Sequence, residues 1–268
     1  MPRLSIGLFG GFQVELDGKP LAGFGTDKNR ALLAYLALEF KHPHRRETLA
    51  ALFWPDASEA HAHRSLRQAL YHLRHVIDPI PGTEPHLIVH TDQVWLNPAS
   101  DHWIDVVEFD RRLSAFKSHH PSGLSICSGC LKSLQLVIDL YRGDLLAGFT
   151  LPRCTRFCDW QIISQERFHR QMLVVLTLLA DHFEINHAFN QLIACSQKKI
   201  ELEPWRESAY RRQMWAQAMS GQREQALLCY ESLCQVLLRE FGVLPMDETR
   251  YLYQQIRIGA LSKGLSPL

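Results

Sequence analysis

The chain has 268 residues, a length that suits two domains rather than one, and its 46% hydrophobic and 21% charged content is that of an ordinary globular protein. A net charge of +1 excludes a globally polybasic protein, so any contact with nucleic acid has to come from a local patch. The chain shows no run of 18 apolar residues and no apolar leader after Met1, which points to a cytoplasmic protein without a membrane span. Seven cysteines, an odd number in a chain with no export signal, favour reduced thiols or a metal site over a disulfide framework.

Residues 4–21 alternate apolar with small or polar side chains, interrupted at Gly10 and Gly11, and Asp17-Gly18 is a strong hairpin turn. The spacing predicts short antiparallel strands. Neither glycine pair fits a phosphate-cradling loop, and both GxGxxG and GxxxxGK[ST] are absent. Thr26 and Asp27 then cap a helix that carries Ala31, Leu32, Leu33, Tyr35, Leu36 and Leu38 to about residue 39. A polar break at 41–45 leads into a short helix at 46–54, stopped by Pro55. A long helix at 58–77 is followed by a loop at 78–82. Two β-rich runs at 86–90 and 94–96 around the turn 91–93 read as a hairpin.

The helix at 58–77 is the most informative stretch. Ser58 is a good N-cap, and Glu59 and the nearby Asp56 suit the positive end of the helix dipole. Ala62, Leu66, Ala69, Leu70, Leu73 and Ile77 recur at three- and four-residue spacing and make one apolar stripe. At about 100° per residue the opposite face collects His61, Arg64, Gln68, Tyr71 and His75, flanked by Arg67, His72 and Arg74. No carboxylate follows Glu59 until Asp78. A surface helix ordinarily mixes both signs of charge, whereas these cations, imidazoles, amide and phenol suit phosphates and base edges. The plain alternative is a solvated face that happens to be basic. Several of the 14 histidines lie between His42 and His75 and add positive charge below a pH of about 6.5.

Strands, three helices with the third amphipathic and basic, then a hairpin: this is the element order of an OmpR-type winged helix-turn-helix, with the third helix for the major groove and the hairpin as wing. The segments LSIGLFGGFQVELDGKPL, TDKNRALLAYLAL, ETLAALFWPDASEAHAHRSLRQALYHLRHVI and VWLNP resemble the DNA-binding domain of SARP-type bacterial transcriptional activators. The resemblance covers about residues 4–100, and ALFWP…S…A…L…L…LR is its most specific part. It implies double-stranded DNA as partner and a DNA-binding role for Arg64, Arg67, Gln68, Tyr71, His72, Arg74 and His75. Two departures stand out. The wing turn at 90–93 carries no Arg or Lys, where related wings often put one into the minor groove. Few residues precede the first strand, so no receiver domain, and no control by its phosphorylation, is expected ahead of the winged helix.

Beyond residue 100 the pattern is helical. A short amphipathic helix is expected at 103–113, a loop at 118–123, and helices at 131–141, 155–183, 188–202, 207–219, 223–241 and from 245 to about 258. The fragments 188–210 and 221–230 carry a tetratricopeptide-like rhythm, with Ala188, Ala209 and Ala226 where helices would touch closely. LYRGDLLAGF, ELEPWRESAYRRQM, GQREQALLCYESL and EFGVLPMDETRYLYQQI resemble the bacterial transcriptional activator domain (BTAD) that follows the winged helix in the same regulators. That resemblance, over residues 103–258, implies an interaction and dimerisation module without catalysis. The expected fold class is therefore mainly α with small β: a winged helix-turn-helix domain over 1–100 and an all-α, TPR-like helical repeat domain over 101–268. The expected partners are DNA, a second copy of the chain on repeated half-sites, and RNA polymerase or other regulators.

The cysteines leave one further question. Cys127 and Cys130 form a CxxC in a loop, and Cys154 and Cys158 sit four apart at a helix start, so two pairs of thiolates suit a tetrahedral structural zinc site. His119 and His120 are alternative ligands. Ordinary reduced thiols filling helix contacts are the other reading, since the second pair is CxxxC and the gap between pairs is long. Cys195, Cys229 and Cys234 fall in helical apolar patterns and read as core. No cofactor is required by any motif, and no nucleotide loop, nucleophile motif or HExxH supports an enzyme. The sequence reads as a sequence-specific DNA-binding transcriptional regulator. The alternative is a TPR-like interaction adaptor whose winged helix no longer binds DNA.

Overall fold

The structure is a computed structural model that describes residues 2–79, 82, 84–120 and 126–261. The described residues form two compact units, one made of the residues up to Phe116 with Asp139–Phe168, the other of Lys117–Ile138 with the residues from His169 onward. This division differs from the expected one at residue 100, because residues 102–116 and 139–168 belong with the N-terminal strands and helices.

The first unit opens on a sheet of β1 (Leu4–Gly7), β2 (Gln13–Leu16) and β3 (Lys19–Pro20). β1 and β2 run antiparallel with Leu4 opposite Leu16 and Gly7 opposite Gln13. Asp17 and Gly18 close the β2–β3 hairpin with φ of 51° and 74°, the doubly left-handed conformation that makes Asp-Gly a favoured two-residue turn. The winged helix follows: α1 (Asp27–Leu38), β4 (His44–Arg45), α2 (Arg46–Phe53), α3 (Glu59–Ile77), β5 (Leu87–Val89) and β6 (Gln93–Leu96). Thr26 caps α1 as expected, its hydroxyl accepting from the Asn29 N–H at 3.3 Å. Leu32, Leu33, Leu36, Leu49, Phe53, Leu66, Leu73 and Ile77 are inaccessible to solvent and form the core of the three helices. The stretch expected as a polar break contains β4, which pairs with β6 and makes the wing three-stranded, in the order β4-β6-β5.

Trp103, expected at the start of a helix, lies instead in β7 (His102–Ile104), which joins β1 in parallel with Leu4 opposite His102. The exposed edge of β1 takes up these backbone groups, and α4 (Asp105–His119) starts only after them, running past the expected end at 113. Asp105 at this junction is inaccessible to solvent. Its carboxylate accepts from the N–H groups of Leu8 at 2.9 Å, Phe9 at 3.0 Å and Val106 at 2.8 Å, and from Arg142 Nη2 at 3.0 Å. Burial raises its pKa against the pull of those donors and of Arg142. The LYRGDLLAGF stretch, after α5 (Ser128–Leu140), lies along the same strand end. Leu146 N–H donates to Leu8 O at 2.7 Å and Ala147 N–H to Gly10 O at 2.7 Å. Gly143, at φ 145°, packs beside Gly10 in a backbone conformation that side-chain-bearing residues rarely adopt. Phe9, Phe109, Tyr141 and Phe168 pack there, with Phe9 ring centroids 5.0 to 5.3 Å from the other three.

The second unit contains α7 (Phe189–Leu202), α8 (Glu207–Met219), α9 (Arg223–Phe241) and α10 (Asp247–Ile258), together with the later part of α6 (Thr155–Ile185). Ala209 and Ala226 are buried between helices as the repeat rhythm predicts, whereas Ala188 is a half-buried N-cap. Two buried charges fix the helix pairs. Glu207 accepts from the Met246 N–H and from the Thr249 hydroxyl at 2.6 Å, satisfying the start of α10. Arg212 bridges Asp181 at 2.6 Å and Glu184 at 2.9 Å, joining α8 to α6. Cys195 and Cys229 are buried, and burial pushes their thiols up to about 11 and about 12, as inert core positions require.

Asp105→Ala is expected to lower the unfolding free energy by about 3 kcal/mol, since three buried N–H groups lose their acceptor and Arg142 loses its carboxylate partner. Urea titration followed by circular dichroism measures this, and a loss under about 1 kcal/mol would show that the carboxylate holds nothing together.

A second expectation concerns His86, which is 1% exposed. Nδ1 faces Asp78 Oδ1 at 2.8 Å, and Nε2 faces the carbonyl oxygens of Pro2 at 3.1 Å and Asp101 at 3.2 Å. Both nitrogens meet only acceptors, so the ring satisfies them as an imidazolium with two donors. Burial pushes its pKa down, but the hydrogen bond and charge of Asp78 and the two carbonyls outweigh that and hold it above its ordinary value. A raised histidine contributes stability that is fully present below the unfolded value of about 6.5 and is lost as pH rises through the folded value. The urea midpoint should therefore fall above that pH in the parent and fall less in His86→Gln. Equal pH profiles for the two would refute the charged form.

Candidate nucleic-acid interface

α3 presents its apolar stripe to the core and leaves the other side in solvent. Ala62, Leu66, Ala69, Leu70, Leu73 and Ile77 are buried, while His61, Arg64, Arg67, Gln68, Tyr71, Arg74 and His75 are exposed. Ser58 occupies the N-cap position, but its side chain makes no cap hydrogen bond; only its carbonyl is used, by the Ala62 N–H at 2.8 Å. Tyr71, 68% exposed, packs its ring against that of His75 with centroids 5.0 Å apart and planes tilted by 32°, in the C-terminal half of the face. Among the described residues Arg64, Arg67 and Arg74 have no ion-pair partner, and the one carboxylate on the helix, Glu59, lies 3.9 Å from His63 at the N-terminal end.

His72 stands apart from these residues in its surroundings. The ring is half-buried at the margin of the face, and Nε2 lies 2.7 Å from the Gly23 carbonyl oxygen. Its hydrogen-bonding capacity holds the loop before α1 against α3 rather than facing outward. Gln68 lies at the lip of the groove that α3 makes with Thr26, Asp27 and Trp54.

The C-terminal end of α3 is anchored to the wing. Asp78, its C-cap, accepts from the backbone N–H groups of His86 at 2.7 Å and Leu87 at 3.2 Å as well as from the His86 ring. The wing turn has no cation of its own, but the fold brings two to it. Arg45 pairs with Gln93 across β4 and β6 and is exposed. Arg46 donates its N–H to the Asp92 carbonyl at 2.9 Å and its guanidinium to the His90 carbonyl at 3.3 Å. Arg45, Arg46, His63 and Arg67 line one cleft with Glu47, Thr91 and Asp92. The sequence reading omitted Arg45 and Arg46. Their adjacency to the second helix was visible, but their pairing with β6 is a long-range contact.

The two cysteine pairs of the expected zinc set fall in different units, and each has its own partners there. Cys154 is buried and donates to the Phe53 carbonyl at 3.3 Å, and Cys158 donates to the Leu151 carbonyl at 3.5 Å; both belong to the first unit. Cys127 and Cys130 belong to the second, where their partners are His119 and His120. Cys130, expected in a loop, sits in the first turn of α5.

A winged helix-turn-helix with a basic third helix, continued by paired helices of repeat type, is the architecture of a SARP-type transcriptional regulator. Residues 104–257 match the bacterial transcriptional activator domain, and the chain belongs to that family. It is 23% identical over 250 residues to the transcriptional regulatory protein MoaR1 of Mycobacterium tuberculosis, covering 93% of this chain and 78% of MoaR1, and equally so to MoaR1 of Mycobacterium bovis. The structure of Mycobacterium tuberculosis EmbR in complex with a low-affinity phosphopeptide shares the fold, with a TM-score of 0.68 and 20% identity over 100% of this chain and 67% of EmbR. Among the described residues no helix is long and apolar enough to cross a membrane.

Proposed function

We propose that the chain binds double-stranded DNA in the cytoplasm as a sequence-specific regulator, not as an enzyme, with α3 in the major groove. The observation that carries this reading is the exposed face of α3, on which Arg64, Arg67 and Arg74 lack ion-pair partners among the described residues while no carboxylate stands between Glu59 and Asp78. Arginines left without intramolecular partners are available to phosphates and to guanine edges, and Gln68 to adenine. Arg45 and Arg46 supply the wing with the positive charge that its own turn lacks. The helical unit acts in dimerisation and in contacts with RNA polymerase or other regulators. Leu238, Phe241, Leu244 and Met246, all more than half exposed around the end of α9, support that role, since apolar side chains gathered at a surface mark interaction sites. An adaptor that has lost DNA affinity is the second reading, favoured by the +1 net charge and by Glu47 and Asp92 beside Arg67.

Binding to genomic fragments, followed by fluorescence anisotropy at several salt concentrations, separates the two readings. Gln68→Ala is expected to cost about 1–3 kcal/mol on the preferred site and to relax preference at one base pair. Arg64→Ala should weaken all sequences alike and lower the salt slope by about one unit. Neither change touches the buried stripe, so folding should survive. A folded Arg67→Ala/Gln68→Ala variant that binds every DNA as the parent does would overturn the role of α3 and leave the adaptor reading.

For assembly, footprints on repeated half-sites are expected about 10–11 bp apart centre to centre, one turn of DNA. A single half-site occupied by a monomer in sedimentation at micromolar concentration would contradict the dimer.

A further inference from the structure

His119, the last residue of α4, and His120 stand beside Cys127 and Cys130 at the start of α5. One ligand atom from each of the four lies within 4.8 Å of all the others. The individual separations are informative. His119 Nδ1 is 3.1 Å from His120 Nε2, 3.4 Å from Cys130 Sγ and 3.9 Å from Cys127 Sγ. A tetrahedron with Zn–N near 2.05 Å and Zn–S near 2.3 Å has N–N, N–S and S–S edges of roughly 3.3 to 3.8 Å. The three edges that start at His119 Nδ1 fall close to that range, and the other three lie within 4.8 Å.

Hydrogen bonding alone does not account for the convergence. One imidazole nitrogen carries either one proton or one lone pair, so His119 Nδ1 can satisfy one of its three polar neighbours. A cation at the centre satisfies all four lone pairs together. The Cys130 backbone N–H points at Cys127 Sγ from 3.5 Å, the donor arrangement that stabilises a thiolate in a CxxC turn.

We propose that His119, His120, Cys127 and Cys130 form a structural zinc site that clips the end of α4 to the first turn of α5. Two thiolates balance the dication, and the soft sulfur with imidazole donors selects zinc over magnesium or calcium. Four protein ligands leave no open position, so the site is structural, not catalytic. Zinc binding displaces the thiol protons to solvent, and no oxidant or reductant takes part. Cys154 and Cys158 are not ligands.

The test uses the full chain, reduced and purified without chelator. Metal analysis is expected to find about one zinc per chain, and titration of the apoprotein a dissociation constant below roughly 0.1 µM. Cobalt substitution should give tetrahedral d–d bands and a thiolate charge-transfer band of the size expected for two sulfurs. His119→Ala, His120→Ala, Cys127→Ser and Cys130→Ser should each weaken zinc by about 100-fold or more, and the double Cys154→Ser/Cys158→Ser variant should leave it unchanged. The side chains of His119 and Cys127 are exposed, so circular dichroism of these variants should match the parent. Three results would overturn the proposal: no zinc in reduced protein together with affinity weaker than about 10 µM, parent-like binding by both histidine variants, or loss of zinc on changing Cys154 and Cys158. A disulfide between Cys127 and Cys130 that persists in reducing buffer and forms equally fast with zinc present would also overturn it.

Discussion

The buried carboxylate of Asp105 is the constraint on which the first unit depends. A charge removed from water is costly unless it is paired and fully hydrogen-bonded. Here it receives the backbone donors at the end of β1, the first donor of α4 and one arm of Arg142. Three stretches distant in sequence thereby meet at one point, and the aromatic cluster around Phe9 closes over it. The location of this carboxylate explains why the leading sheet takes β7 as its fourth strand. It also explains why residues 139–168, far along the chain, belong to the N-terminal unit.

Within that unit α3 is held along its length by apolar contacts and towards its C-terminal end by polar ones. The stripe from Ala62 to Ile77 sets its rotation, and rotation decides which side chains face outward. His72 bonds the loop before α1, and Asp78 with His86 fastens the C-terminal end to β5. A helix positioned by three independent contacts presents its outer face rigidly, which any reader of a DNA groove requires. Arg46 does the same for the wing turn by taking up its carbonyls.

The helical unit uses a different economy of contacts. Alanines at close helix crossings permit the pairs to stack, and the buried Glu207 and Arg212 specify which helix lies beside which. The exposed apolar side chains at the end of α9 stand outside that packing.

Local sequence determined much of this protein. The Asp17-Gly18 turn, the Thr26 cap, the α3 stripe and the boundaries of α7 to α9 depend on residues within a few positions of one another, so spacing and backbone preference suffice to read them. The family was legible for the same reason, since ALFWP and LYRGDLLAGF are short runs. Long-range contacts decided the rest. Two-residue β4 and three-residue β7 exist because β6 and β1 offer open edges, a property of the assembled sheets and not of residues 44–45 or 102–104. The contact of His72 with the Gly23 carbonyl joins residues 49 positions apart. Pairing by sequence likeness joined Cys127 and Cys130 to Cys154 and Cys158, whereas folding brought His119 and His120 to the first pair and backbone carbonyls to the second. Ligands and hydrogen-bond partners are chosen by distance in space, and a linear pattern carries that information only where the chain is still close to itself.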